Sequence, residues 1–171
     1  AGHETGAHSL YHETLGDSLF EIPGIYPLLP EEVRPRIKLA TDIVEDIVGH
    51  KVVSWRCPRL FGGTHVTNAL ESLGYECDAT YPMYYYNEQL FPYHPSQENW
   101  TEQGSLNLIE IVQFADMAME SKDAYGRDKD QWPLYRIKST AAFIPHIESF
   151  MSYVEKNDQS QKPIVLCFYF H

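Results

Sequence analysis

The stretch KVVSWRCPRLFGGTHVTNALESLGYECDAT, residues 51–80, restricts the fold more than any other part of the chain. It opens on the β-branched run KVVSW, which reads as a short strand delivering Arg56 at its end. Thr64 follows as a cap for a helix through Ala69, Leu70 and Leu73 to Gly74, and YECDAT reads as a second strand. Upstream, residues 31–48 carry Val33, Ile37, Ala40, Val44 and Ile47 at intervals of three or four and stop at Gly49, the pattern of an amphipathic helix. Strands that alternate with helices imply an α/β fold with a parallel sheet, open or closed into a barrel.

The rest of the chain continues the alternation. LNLIEIVQF, residues 106–114, reads as a strand. A final helix over residues 139–157 carries Phe143, Ile147, Phe150, Met151 and Val154 on one face, dented at Pro145. PIVLCFYF is nearly continuous in apolar residues, the mark of a strand buried on both faces, and it leads into His171. Residues 81–104 are aromatic and irregular, too long for a plain connection and better suited to a working loop. With 171 residues and 43% hydrophobic content, the chain is sized for one domain over residues 1–171, though lean for a full (β/α) barrel.

Charge and composition exclude several functions. A formal net charge of −11 argues against a nucleic-acid partner, because phosphate binding needs clustered Lys and Arg. No stretch approaches the roughly 20 apolar residues of a membrane span, and the first residues lack a basic-then-apolar signal pattern. The compartment, cytoplasmic or exported, and the oligomeric state are not fixed by these features. Cys57, Cys77 and Cys167 are odd in number and lie in apolar surroundings, so they read as buried thiols rather than a disulfide framework.

In parallel α/β folds the chemistry collects where strands end and loops begin. Three strand readings here finish on a polar group: Arg56, Asp78 and His171. The first residues add GHETGAHSLYHET, in which His8 and His12 are four apart, a spacing that on a helical turn points both imidazoles to one side. Two such rings suit a divalent ion, zinc and also nickel, cobalt or iron, so the spacing alone names no metal. Gly6, Ala7 and Ser9 allow close backbone approach, and Glu4 or Glu13 is placed to orient a ring. His3 falls off this turn and is not expected to be a ligand.

These residues resemble a known family. GHETGAHSLYH resembles the histidine motif of the polysaccharide deacetylases, the metal-dependent carbohydrate esterases with a nodulation-protein-type (NodB homology) domain. That motif is a Gly-His-Glu-x-Gly lead-in followed by His-Ser/Thr-x-x-His, matched by His8, Ser9 and His12. RCPRLFG resembles the family's Arg-x-Pro segment, LESLGYECDATYP continues as in one branch, and VLCFYFH resembles the final strand that delivers a histidine. The resemblance implies a distorted, seven-stranded TIM-like (β/α) barrel of the glycoside hydrolase/deacetylase type. It also implies hydrolysis of N- or O-acetyl groups on an acetylated polysaccharide or oligosaccharide.

By the same resemblance His8 and His12 are metal ligands, and His171 is the general acid that protonates the leaving amine. Arg56 orients a catalytic carboxylate, Asp78 tunes His171, and Arg59 and Tyr11 meet substrate, the backbone near Arg59 helping to hold the oxyanion. DKDQW, residues 128–132, competes with Asp78 for its role, since the family pairs that acid with a Trp. Tyr84, Tyr85, Tyr86, Tyr93 and Trp100 are candidates to stack on sugar rings.

The family's first motif, a strand ending in two aspartates that supply the third ligand and the general base, has no counterpart in this sequence. The resemblance therefore predicts a barrel incomplete at its N-terminus. Two other readings stand beside the deacetylase: an amidase acting on small non-peptide C–N substrates, as allantoin-type hydrolases do, and a non-catalytic carbohydrate-binding remnant.

Overall fold

A computed structural model describes residues 2–86, 88–117, 139–158, 160 and 162–168. They divide into two compact units, Ala1–Tyr81 with Pro92–Ile111, and Pro82–Phe91 with Val112–His171. Each unit is described by itself.

The first unit is built on three short parallel strands in chain order: β1 (Ser54–Trp55), β2 (Cys77–Asp78) and β3 (Ile109–Glu110). Ser54 pairs with Cys77 and Cys77 with Ile109; one step on, Trp55 pairs with Asp78 and Asp78 with Glu110. Ala7 extends the array beyond β1 through a parallel bridge to Trp55. The α/β class and the parallel sheet agree with the sequence reading. Among the described residues the sheet is open and three-stranded, and its strands are shorter than KVVSW, YECDAT and LNLIEIVQF suggest.

Two helices cover this sheet. Helix α1 (Pro30–Val48) starts where Pro30 needs no N–H partner and the Glu32 carboxylate accepts from the Leu29 amide at 2.9 Å. It stops at Gly49, whose φ of 74° and bond to the Glu45 carbonyl form a left-handed cap. Val33, Ile37 and Ala40 are buried as the periodicity requires, but Ile47 is 79% exposed because the apolar stripe leaves the core in the last turn. Helix α2 (Thr64–Leu73) starts one residue earlier than a Thr64 cap implies. Gly63 is its N-cap, and the Thr64 hydroxyl accepts from the Trp100 amide at 3.2 Å. Val33, Ile37, Trp55, Cys57, Val66, Leu70, Tyr75 and Leu108 form one core cluster, in which each large side chain contributes about 1.5–3 kcal/mol.

The second unit holds α3 (Met83–Tyr86) and α4 (Thr140–Asn157). The Ser139 side chain caps α4 at the Ala142 amide, and Pro145 sits within the helix without ending it. Phe114 packs edge-to-face on Phe150 and Phe143, with centroids 4.9 and 5.9 Å apart, and Phe143 on Phe168 at 5.2 Å. PIVLCFYF departs from expectation. Among its described residues, 163–168, only Cys167 makes a β-bridge, to Gln113, and Val165 and Phe168 are exposed, so that part of the run is not a strand buried on both faces. Cys57 is buried as expected, whereas Cys77 and Cys167 are half-buried, and none of the three is in a disulfide. Among the described residues no helix is long and apolar enough to cross a membrane.

Candidate active site

The histidine loop is held on β1 by main-chain atoms. The Ala7 amide donates to the Ser54 carbonyl at 3.0 Å and the Arg56 amide donates back to Ala7 at 3.1 Å, so residues 6–8 run alongside the strand. Gly6 and Gly16 permit this approach. A Cβ on Gly6 would lie 2.7 Å from Ser54 Oγ, and one on Gly16 2.3 Å from the Gly62 carbonyl oxygen.

His8 and His12 do come together, but not on a helical turn. Residues 8–12 form an irregular bend in which Ser9 and His12 have φ of 62° and 58°, the Ser9 hydroxyl accepting from the His12 amide at 3.1 Å. The two exposed imidazoles meet edge-to-face with centroids 5.3 Å apart. His8 Nδ1 lies 2.8 Å from the Arg56 carbonyl oxygen. Because a carbonyl only accepts, Nδ1 carries a proton, and in the neutral ring this leaves the lone pair on Nε2, the tautomer that a metal ligand needs. The donor chemistry of this pair therefore fits a divalent ion such as zinc. Among the described residues no third His, Cys, Asp or Glu joins them.

Neither acid expected to orient a ring does so. Glu13 accepts from the Tyr11 amide at 2.7 Å and pairs with Arg36 at 3.6 Å; burial alone would raise its carboxyl, but these contacts hold it below the ordinary range. Tyr11 is 77% exposed beside the histidines, open to a ligand.

The RCPRLFG segment wraps the loop from the other side. Arg59 and Leu60 both take left-handed backbone, with φ of 57° and 60°, and this turns the Arg59 guanidinium back to donate to the His12 carbonyl at 2.6 Å. Arg56 Nε donates to the Ala79 carbonyl at 2.8 Å, which aims Arg56 across the end of β2. The Asp17 amide donates to Gly62 at 2.7 Å and closes the loop.

Asp78 is fully buried, so it touches no solvent-borne substrate in this structure. Its Oδ1 accepts a short bond from the Thr80 hydroxyl, whose oxygen in turn accepts from the Cys57 amide at 2.9 Å. Glu110, also fully buried and paired with Asp78 in the sheet, accepts from the Thr80 and Tyr81 amides on Oε1 at 3.0 and 2.6 Å. The two carboxyls belong to register partners on adjacent strands, and Asp78 Oδ2 and Glu110 Oε2 are both buried. Two ionised carboxylates side by side in the interior repel, which favours one of them keeping its proton. Burial raises both; the Asp78 charge raises Glu110 further, while the Thr80 hydroxyl, Glu110 and the Arg56 guanidinium restrain Asp78. The sequence reading missed Glu110, because LNLIEIVQF reads as a buried strand in which one acid looks incidental.

His171 and the DKDQW stretch lie outside the described residues, as does any contact of Asp78 with His171. Tyr93 and Trp100 are not available to stack on sugars. Both are buried, Tyr81 meets each ring at 5.6 Å, and Tyr93 Oη donates to the Trp100 carbonyl at 2.6 Å. Tyr84, Tyr85 and Tyr86 are half-buried on α3.

Residues 1–77 match the polysaccharide deacetylase family model. The deacetylase match takes in His8, His12, Arg56 and Arg59 and ends one residue before Asp78. The fold is similar to the crystal structure of a "putative polysaccharide deacetylase" from Mycobacterium smegmatis, with a TM-score of 0.52 at 18% identity. That likeness covers 91% of this chain and 45% of the mycobacterial one, so the chain spans less than half of the structure it matches. No curated protein matches the chain.

Proposed function

We propose that this chain carries part of the active site of a metal-dependent deacetylase that removes N- or O-acetyl groups from a polysaccharide. The observation that carries this reading is the His8–His12 pair, with His8 Nδ1 committed to the Arg56 carbonyl and Nε2 left free to ligate. The family match over residues 1–77 and the deacetylase-like fold support it.

In this reading His8 and His12 hold a divalent ion, zinc being the best fit to imidazole donors, with nickel, cobalt or iron as alternatives. Such an ion, when bound, lowers the pKa of water and polarises an acetyl carbonyl. The remaining work belongs to side chains. Arg59 keeps the His12 backbone in place, and it and the exposed Tyr11 are the side chains that would meet a sugar. Arg56 offers its guanidinium to orient a carboxylate base, and His171 protonates the leaving nitrogen or oxygen. The same arrangement favours a distorted (β/α) barrel for the whole deacetylase domain, since Ala7, β1, β2 and β3 lie side by side in chain order.

The test is acetate release from acetylated chito-oligosaccharides by the full natural protein, with metal content measured in parallel. Release that depends on the metal and fails in His8→Ala is expected. Stoichiometric metal with no acetate released from any acetylated sugar would overturn the reading, and release of ammonia from small amides instead would favour the C–N amidase.

A further inference from the structure

The buried pair beneath the site has a use that the deacetylase chemistry does not by itself require. Asp78 Oδ1 and Glu110 Oε1 are each satisfied by donors, whereas Asp78 Oδ2 and Glu110 Oε2 are buried and have no conventional donor among the described residues. Orphaned buried carboxyl oxygens cost on the order of 1–3 kcal/mol each. A single proton shared between these two oxygens removes both deficits, and the strand register sets the two residues side by side.

We infer that Glu110 is a positioning residue: it donates one retained proton to Asp78 and thereby locks the Asp78–Thr80–Cys57 hydrogen-bond chain that seats the Arg56–Arg59 turn against His8 and His12. The chain of hydrogen bonds is continuous. Glu110 Oε1 holds the Thr80 and Tyr81 amides, the Thr80 hydroxyl joins Asp78 to the Cys57 amide, and Cys57 lies between the carbonyl that orients His8 and the guanidinium that straps His12. The proton belongs on Glu110 because Asp78 faces the Arg56 guanidinium and the Thr80 hydroxyl, both of which favour its anion. The other titratable groups near the pair are Cys57, Cys77 and Tyr75, each raised first by burial and therefore neutral, so Arg56 is the charge that sets the polarity. This inference rests on the proposed metal site for its consequence, not for its existence.

Glu110→Gln, Thr80→Val and Asp78→Asn separate the outcomes. Gln keeps both roles, accepting from the two amides and donating to Asp78, so the variant should bind Zn2+ within about twofold of wild type and keep the His8 Nδ1–H protected from exchange in NMR. Thr80→Val breaks the chain and should weaken Zn2+ binding about tenfold, the scale of lost ligand-orienting contacts, with His8 Nδ1–H exchanging faster. Asp78→Asn puts the donor on the wrong partner and removes the anion facing Arg56, and should resemble Thr80→Val. Thr41→Val, which removes the Tyr75 partner at 2.6 Å on α1, controls for general stability loss and should leave both readouts alone.

A raised carboxyl stabilises the fold fully below the ordinary carboxylate range, and that stability is lost as pH rises through its raised value. Wild-type melting temperature should therefore decline from mildly acidic to alkaline pH, and Glu110→Gln, which removes the Glu110 proton but leaves the raised Asp78 carboxyl, should make that decline shallower. Unchanged His8 protection in Thr80→Val, or tolerance of Asp78→Asn with loss in Glu110→Gln, would overturn the inference. If no variant binds Zn2+, the metal-site reading fails, while the exchange and melting data still decide the role of Glu110.

Discussion

Arg59 donates to the His12 carbonyl at 2.6 Å from a left-handed backbone position that a non-glycine residue enters at a cost of about 1 kcal/mol or more. The guanidinium is thus aimed by a strained turn. Arg59→Ala should weaken Zn2+ binding roughly tenfold while changing stability little, since the lost bond is exposed and worth about 1–2 kcal/mol. Arg59→Gly loses the same strap but relieves the turn, so it should melt higher than Arg59→Ala at equal Zn2+ affinity. Isothermal titration with Zn2+ and thermal denaturation of the two variants check this.

His8→Ala removes the imidazole whose Nδ1 is already fixed by Arg56. Zn2+ binding by the chain should be abolished, and His3→Ala should leave it unaltered. Unchanged affinity in His8→Ala would sink the ligand assignment.

Gly16→Ala tests how the loop is seated. Its Cβ would lie 2.3 Å from the Gly62 carbonyl oxygen, against backbone that cannot swing aside. The substitution should destabilise the fold by about 1–3 kcal/mol in urea unfolding, the range for forced overpacking, and should loosen Zn2+ binding with it.

Glu71 ties α2 to the approach of β3, accepting from the Asn107 amide and side chain at 3.1 and 2.8 Å and from the Leu108 amide at 2.8 Å. Burial pushes its carboxyl up, but these donors outweigh burial and hold it below the ordinary range. Stability from such a group is present above the unfolded carboxylate range and lost as pH falls through the lowered value. Glu71→Ala should be less stable than wild type by about 1–3 kcal/mol near neutral pH, and the gap should narrow as pH falls below the ordinary carboxylate range in pH-resolved urea melts.

Tyr93 and Trp100 separate packing from sugar binding. Trp100→Ala should cost about 3–5 kcal/mol, as large buried aromatics do. Tyr93→Phe should cost about 1 kcal/mol for the lost bond to the Trp100 carbonyl, without altering oligosaccharide affinity in titration.

Local periodicity carried much of the fold into view. Val33, Ile37 and Ala40 mark the buried stripe of α1, and the helix after Gly63 and the parallel order of β1 and β2 follow from alternation. The same logic overreached at PIVLCFYF and Ile47, because an apolar residue announces preference for burial, not whether a partner arrives. In the site, His8, His12, Arg56 and Arg59 were legible as side chains in a recognisable order. Glu110 was not, since its importance comes from sheet register: one strand away Asp78 waits with an orphaned oxygen, and nothing in LNLIEIVQF records that neighbour. Tyr93 and Trp100 misled for the converse reason, as an aromatic suited to stacking on sugar is equally suited to stacking on Tyr81.

The atom that orients His8 is the carbonyl oxygen of Arg56, and every residue type at position 56 would supply one. The direction of the ring is therefore inherited through the path of the main chain rather than through any letter of the sequence. The side chain at position 56 answers to a different neighbour, donating to the Ala79 carbonyl and facing the Asp78 carboxyl, so one residue steers an exposed imidazole with its backbone and a buried acid with its guanidinium.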